Sequence, residues 1–220
     1  MPKAVKRRYA SARRDEQAHE TRLRIIGAAR ELFVTKGYGR TTLVAIAQEA
    51  GVAVETVYAA FGNKATLLHQ TWYMDFRGDE EDVPLFERDE MQGILNEPDL
   101  AKRVRRHAVF VAATNRRTGP LTAALEGAAA SEPAAAEMLA EFSARRLDVT
   151  TKYAKAAAAT GRLAVSQAEC RDVLFATMDG TLWRRLVVER GWSDERYADW
   201  LGSLWIAQLV SSAAGAQGPD

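Results

Sequence analysis

The residues best equipped for chemistry lie between Gly39 and Lys64, where Thr42, Glu55, Thr56, Tyr58 and Lys64 bring hydroxyls, a carboxylate, a phenol and an ammonium into one short stretch. Such groups suit hydrogen bonding and charge pairing with a nucleic acid rather than bond breaking. Catalytic apparatus is not visible elsewhere. Cys170 is the single cysteine, so neither an intrachain disulfide nor a thiolate metal cluster can form, and it reads as a structural thiol. His19, His69 and His107 are scattered, and no Gly-rich phosphate loop, His-x-x-x-His pair or nucleophile elbow occurs. The chain is therefore expected to have no catalytic residues, metal ligands or cofactors, and not to be an enzyme.

The elements that must position those side chains follow from apolar spacing. Leu43, Ile46, Ala47 and Ala50 fall at i, i+3, i+4 and i+7, one stripe of a short helix, and Gly51 stands where a left-handed terminating residue is wanted. Val54, Val57 and Phe61 give a second short helix one apolar face, so Glu55, Thr56, Tyr58 and Ala59 must point elsewhere. Small Ala47 permits close approach, Gly51 makes the turn and branched Val57 fills the angle between the helices. This is the pattern of a helix-turn-helix, a unit sized for a DNA major groove.

Residues 40 to 64 resemble the DNA-binding core of the TetR family of bacterial regulators. A Thr-Thr precedes the first motif helix, Ile-Ala-x-x-Ala-Gly-Val crosses the turn, and Thr-Val-Tyr-x-x-Phe-x-x-Lys follows. The segment from Arg24 to Thr42 resembles that family's first helix, with Leu23, Ile25, Ile26, Ala29, Leu32 and Phe33 as its apolar residues and Gly37 closing it. The resemblance implies that Thr42, Tyr58 and Lys64 contact phosphates and position the protein, whereas Val54, Glu55, Thr56 and Ala59 read bases. Val54 stands where the family more often has Ser or Thr, and Ala60 where an aromatic residue or His is common. Fewer hydrogen bonds are then on offer. Glu55 reads either as an acceptor for a cytosine amino group or as a favourable charge at a helix start, and Val54 and Ala59 as contacts to thymine methyl groups.

Charge is distributed to match. The whole chain of 220 residues has a formal net charge of +1, but residues 1 to 64 hold 12 Lys or Arg against 6 Asp or Glu, and the remainder 18 against 23. A basic head on a mildly acidic body suits phosphate neutralisation. Lys3, Lys6, Arg7, Arg8, Arg13 and Arg14 come without an acidic residue among them and read as a mobile basic arm, residues 1 to 18. Arg7, Arg8, Arg13 and Arg14 would follow the DNA backbone or enter a narrow minor groove; the alternative is a solubilising terminus. No apolar segment follows as in a targeting signal and none approaches a membrane span, so a cytoplasmic, nucleoid-associated protein without membrane contact is expected.

Beyond residue 64 the apolar spacing is helical throughout, and the fold class expected is all-α: a head at residues 19 to 64 and a helical body at 65 to 220. Asn63 caps a helix through Leu67, Leu68, Trp72 and Phe76 to about Gly78, and a connector follows with a short helix near residues 88 to 95. Helices are then expected from Asp99 to Asn115, from Gly119-Pro120 to Ala129, from Pro133 to Gly161, from Gln167 to Arg190 and from Asp194 to Ser211.

The resemblance implies a homodimer formed by the last two helices, here through Leu182, Leu186, Trp200, Leu204 and Trp205; an ordinary intrachain core is the alternative. It also implies a small-molecule effector among the body helices. Inward-facing candidates are Trp72, Phe76, Phe110, Phe142, Tyr153, Phe175 and Met178, with Thr114 and Asp179 as polar anchors, which suggests an apolar or aromatic effector. The function expected is a TetR-type repressor that binds a palindromic double-stranded operator and is released by its effector. The alternatives are a sequence-tolerant architectural DNA-binding protein, or a small-molecule-binding enzyme on the same helical body.

Overall fold

The computed structural model describes residues 3–81 and 83–211, with side chains from Arg13 onward. Within them the chain is all-α: α1 (Lys3–Lys36), α2 (Leu43–Ala50), α3 (Val54–Phe61), α4 (Lys64–Arg77), α5 (Asp89–Leu95), α6 (Leu100–Ala128), α7 (Pro133–Ala158), α8 (Gln167–Thr177), α9 (Thr181–Trp183) and α10 (Asp194–Leu209). A 3-10 turn at Leu85–Glu87 precedes α5, and a π-helical stretch, Arg184–Glu189, continues α9. An isolated antiparallel bridge between Leu163 and Val210 ties the segment after α7 to the end of α10.

The helices form two compact units. One contains the chain up to Met74 together with Pro120–Leu139; the other contains Asp75–Gly119 and the chain from Ala140. α4, α6 and α7 each contribute residues to both units. In the first unit Ile25, Ala29 and Phe33 of α1, Ile46 of α2, Val57 of α3 and Leu67 and Leu68 of α4 are almost completely buried. At about 25 cal/mol per Å² of apolar surface, each larger side chain stabilises the head by roughly 2 kcal/mol. The core of the second unit gathers Leu100, Val104, Ala108, Tyr153, Leu174, Tyr197, Leu201 and Trp205.

Three departures from the expected elements have local causes. The basic stretch expected as an irregular arm is helical from Lys3 and continuous with α1, as its Ala, Lys and Arg content allows. Pro120 does not end a helix: α6 runs through it to Ala128. An interior proline removes one backbone hydrogen bond and costs about 3 kcal/mol. Complete burial of Leu121 and Leu125 beyond it offsets that penalty. The helix expected from Gln167 to Arg190 is broken instead. Gly180 adopts φ +87°, and Asp179 accepts hydrogen bonds from the Thr181 backbone N–H (2.9 Å) and hydroxyl (3.0 Å), so a new helix starts there.

Close packing accompanies this break. A Cβ on Gly119 of α6 would lie 2.9 Å from Cζ3 of Trp183, whose indole N–H donates to Asp194 at 2.7 Å. Only glycine lets the indole lie so close to α6.

Candidate functional site

The geometry of the helix-turn-helix is built from buried hydroxyls and caps as much as from apolar contacts. Gly37 ends α1 at φ +80°, and the buried Thr41 hydroxyl lies 3.0 Å from the Leu32 carbonyl oxygen and 2.8 Å from that of Gly37. Thr41 therefore fixes the turn between α1 and α2. Its neighbour Thr42 is exposed and caps α2, its hydroxyl oxygen accepting from the Ala45 N–H at 3.1 Å. The hydroxyl hydrogen is left to donate outward, beside backbone N–H groups that a helix start leaves unpaired. That is a suitable seat for a phosphate oxygen.

Gly51 closes α2 at φ +66° with its N–H on the carbonyls of Ala47 and Gln48, and the axes of α2 and α3 then bend by 111°. The bend separates two faces of α3. Val57 and Phe61 are buried, Val54 is half-buried, and Glu55, Thr56, Ala59 and Tyr58 are exposed, with 53 % of Tyr58 accessible. Every expected phosphate or base contact on α3 thus lies on a solvent-facing side, apart from the partly covered Val54. The α3 start has no side-chain cap, since Ala53 precedes it.

Lys64 is placed differently from a free phosphate ligand. Half-buried at the start of α4, its ammonium donates to the Tyr38 carbonyl oxygen at 3.0 Å and lies 4.1 Å from that residue's ring centroid. Burial, with the nearby Glu132 carboxylate, raises the Tyr38 phenol above its ordinary value. Arg22 is a functional residue that the spacing did not single out. Its guanidinium donates to the Ala60 carbonyl at 3.2 Å, pairs with the Gln70 side-chain oxygen and stands 4.6 Å from the Phe61 ring centroid. It thereby holds the C-terminal end of α3 to α1 and α4. A cation at a helix C-terminus is also favoured by the helix dipole. Of the basic arm, Arg13 is exposed, as is Arg14, while the side chains of Arg7 and Arg8 lie outside the described residues.

The remaining candidates belong mostly to the second unit. Phe76, Phe110, Phe175 and Met178 are half-buried, and Thr114, Phe142 and Tyr153 are buried. Trp72 belongs to the first unit, where its indole N–H donates to Thr122 at 3.0 Å. Thr114 donates to the Phe110 carbonyl at 2.9 Å, and Asp179 caps α9, so both polar anchors already have partners. The Arg146 guanidinium lies 5.0 Å from the Phe175 ring centroid.

Leu182, Leu186, Trp200 and Leu204 keep part of their surface exposed. Trp205 does not. It is completely buried in the chain's own core, with its indole N–H on the Thr177 hydroxyl at 2.9 Å, so it has no surface to offer a second subunit. Among the described residues no single helix is long and apolar enough to cross a membrane.

Residues 25–71, which carry this geometry, match the family profile described as bacterial regulatory proteins, tetR family. Over 56 residues the chain is 48% identical to the HTH-type transcriptional regulator TtgR of Pseudomonas putida, a match covering 26% of this chain and 27% of that protein's length. The fold is shared over a longer span. NalD of Pseudomonas aeruginosa, the secondary repressor of the MexAB-OprM multidrug efflux pump, superimposes with a TM-score of 0.66 at 21% identity, covering 90% of this chain and 100% of that one. A protein from Saccharomonospora viridis solved in complex with choline gives 0.63 at 17%, covering 88% of this chain and 100% of that one. Residues 25–71 are thus a helix-turn-helix head that matches the tetR family of bacterial regulatory proteins, carried on an all-helical body that shares its fold with these solved structures, while the chain spans about a quarter of the length of the curated relative it matches.

Proposed function

We propose that the chain is a dimeric repressor, released from DNA by a small apolar or aromatic effector. Two copies present their α3 helices to the halves of a palindromic operator. The carrying observation is the division of α3 itself: Val57 and Phe61 anchor it while Glu55, Thr56, Tyr58 and Ala59 face outward. One helix of this length reads too few bases to pick an operator from a genome, so a dyad-related pair is required.

Partly exposed Leu182, Leu186, Trp200 and Leu204, with Val188 63% exposed beside them, supply apolar surface for the second copy. The repressor reading draws on NalD, which is named as one, and the presence of a small-molecule effector on the protein solved with choline, while its apolar or aromatic class draws on the half-buried Phe76, Phe110 and Phe175 of this chain. An effector that prefers the non-DNA-binding conformation by about 5 kcal/mol takes the protein from mostly bound to mostly released.

Selection of bound sequences from random double-stranded DNA by the purified full chain tests this reading. The expected result is an inverted repeat with fixed spacing, bound by two chains. A pool without enriched sequence, bound with a steep salt dependence, would instead establish sequence-tolerant binding.

A further inference from the structure

The second unit buries two aromatic side chains whose polar atoms the folded chain leaves without hydrogen bonds. His107 on α6 has 0% of its surface exposed, and neither Nδ1 nor Nε2 has a partner; the Tyr153 hydroxyl on α7, with 1% of that residue exposed, has none either. The two rings stack with centroids 4.1 Å apart and planes 22° from parallel, an arrangement in which in-plane nitrogens cannot bond the phenol. Phe110, at 6.2 Å, and Trp205, at 5.4 Å, complete an aromatic surround for the imidazole.

Several other buried polar groups in the same unit are satisfied. Thr150 donates to backbone carbonyls of its own helix, Thr118 to Thr114, and Trp205 to Thr177. Asn115 and Tyr197 also bury unbonded polar atoms, but their side chains are close enough for mutual hydrogen bonding to affect the Tyr197 phenol. An unsatisfied buried donor or acceptor costs about 1–3 kcal/mol, and native cores hold few of them. Phe or Leu at position 107 would avoid that penalty.

The surroundings also limit the charge of anything that satisfies these atoms. Burial lowers the His107 pKa to about 3 and raises the Cys170 thiol to about 11, so both are neutral near pH 7. Arg103, one turn before His107, commits its guanidinium to the carbonyls of Glu97 (2.8 Å) and Ala156 (2.9 Å). A cationic guest would be desolvated there beside the Arg103 charge, and an anionic one would be desolvated facing only that guanidinium, whose N–H groups are already committed to carbonyls.

We propose that His107 and Tyr153 are the hydrogen-bonding anchors of the effector site, and that the effector is an uncharged aromatic molecule bearing a hydroxyl or similar donor–acceptor group, as a phenol does. This rests on the effector-release reading above and narrows its ligand class, because a bare hydrocarbon would leave the same nitrogens and hydroxyl unsatisfied. The rings touch one another in this structure, so binding parts the His107–Tyr153 stack. The parted form is a separate conformation whose population the ligand raises.

Calorimetric titration of the purified full chain with 2-naphthol, naphthalene, 2-naphthoate and 2-naphthylmethylammonium tests the proposal, with release from the selected operator as a second readout. We expect 2-naphthol to bind at least 10-fold more tightly than the other three. His107→Phe should remove that preference, and the milder Tyr153→Phe, which deletes only the hydroxyl, should reduce it several-fold. Equal binding of naphthol and naphthalene, or a preference intact in both variants, overturns the proposal. Release of operator by naphthalene or a charged analogue, without a naphthol advantage, would overturn it while leaving the effector reading standing. Silence from all four probes in both readouts would count against both.

Discussion

Lys64 donates its ammonium to the carbonyl oxygen of Tyr38 while lying over the ring of the same residue, so the start of α4 is fastened to the turn that precedes α2. A half-buried cation held this way is part of the scaffold of the head before any DNA arrives. Lys64→Ala should therefore lower the stability of the free protein by about 1–2 kcal/mol, from a charge-assisted hydrogen bond and a cation–π contact. Urea unfolding without DNA measures it. A variant as stable as the parent, with DNA affinity lost and the salt slope reduced by about one, would identify Lys64 as a phosphate ligand alone.

Tyr58 and Thr56 are both exposed on α3, and they should separate affinity from specificity. Tyr58→Phe removes the exposed hydroxyl expected to meet the DNA backbone and should weaken binding to all sequences alike, by about 1 kcal/mol. Thr56→Val should instead change which base is preferred at one position of each half-site, by about 1–3 kcal/mol. Parallel sequence selections with the two variants would show the contrast, and identical enriched sites from the Thr56 variant would remove it from the reading face.

Arg22→Ala leaves the Ala60 carbonyl and the Gln70 side chain without their cation. The expected loss is about 1.5–3 kcal/mol of stability, with a larger proportional loss of operator binding than of nonspecific binding, because α3 loses its orientation. Arg22→Lys should recover only part, since it cannot hold both oxygens in a fork. An operator-to-nonspecific ratio unchanged in Arg22→Ala would argue against the orienting role.

Gly119→Ala is a helix-interior substitution that would ordinarily stabilise by roughly 0.5–1 kcal/mol. Here the new methyl would meet Trp183 at 2.9 Å, so a net destabilisation of about 1–3 kcal/mol is expected. Chemical denaturation, with the near-ultraviolet circular dichroism of the indole as a local probe, reads both effects.

His107 makes stability depend on pH. Its folded pKa, about 3, lies below the ordinary 6.5, so between those values the unfolded chain binds the extra proton. Stability is lost as pH falls below about 6.5, at up to about 1.4 kcal/mol per pH unit. Denaturation midpoints at pH 7.5, 6.0 and 5.0 should decline more steeply in the parent than in His107→Phe.

Local signals made the head legible. The period of Leu43, Ile46 and Ala50, the turn at Gly51 and the cap Asn63 all act within a few residues, and each occurs where its spacing placed it. What was not legible depends on distant partners. Pro120 reads as a breaker until Leu121 and Leu125 are seen to be buried, and Trp205 reads as interface until Thr177 is found at its indole nitrogen. Arg22 and His107 carry no motif at all; their roles come from residues 38 and 46 positions away, Ala60 and Tyr153.

Arg22 lies outside the helix-turn-helix, yet it fastens the last turn of α3 to α1 and α4. The segment from Arg40 to Lys64 is therefore not a portable cassette. Transplanted onto another protein, it would carry the exposed side chains of α3 but not their aim, so the aim moves only with residue 22 and its partners.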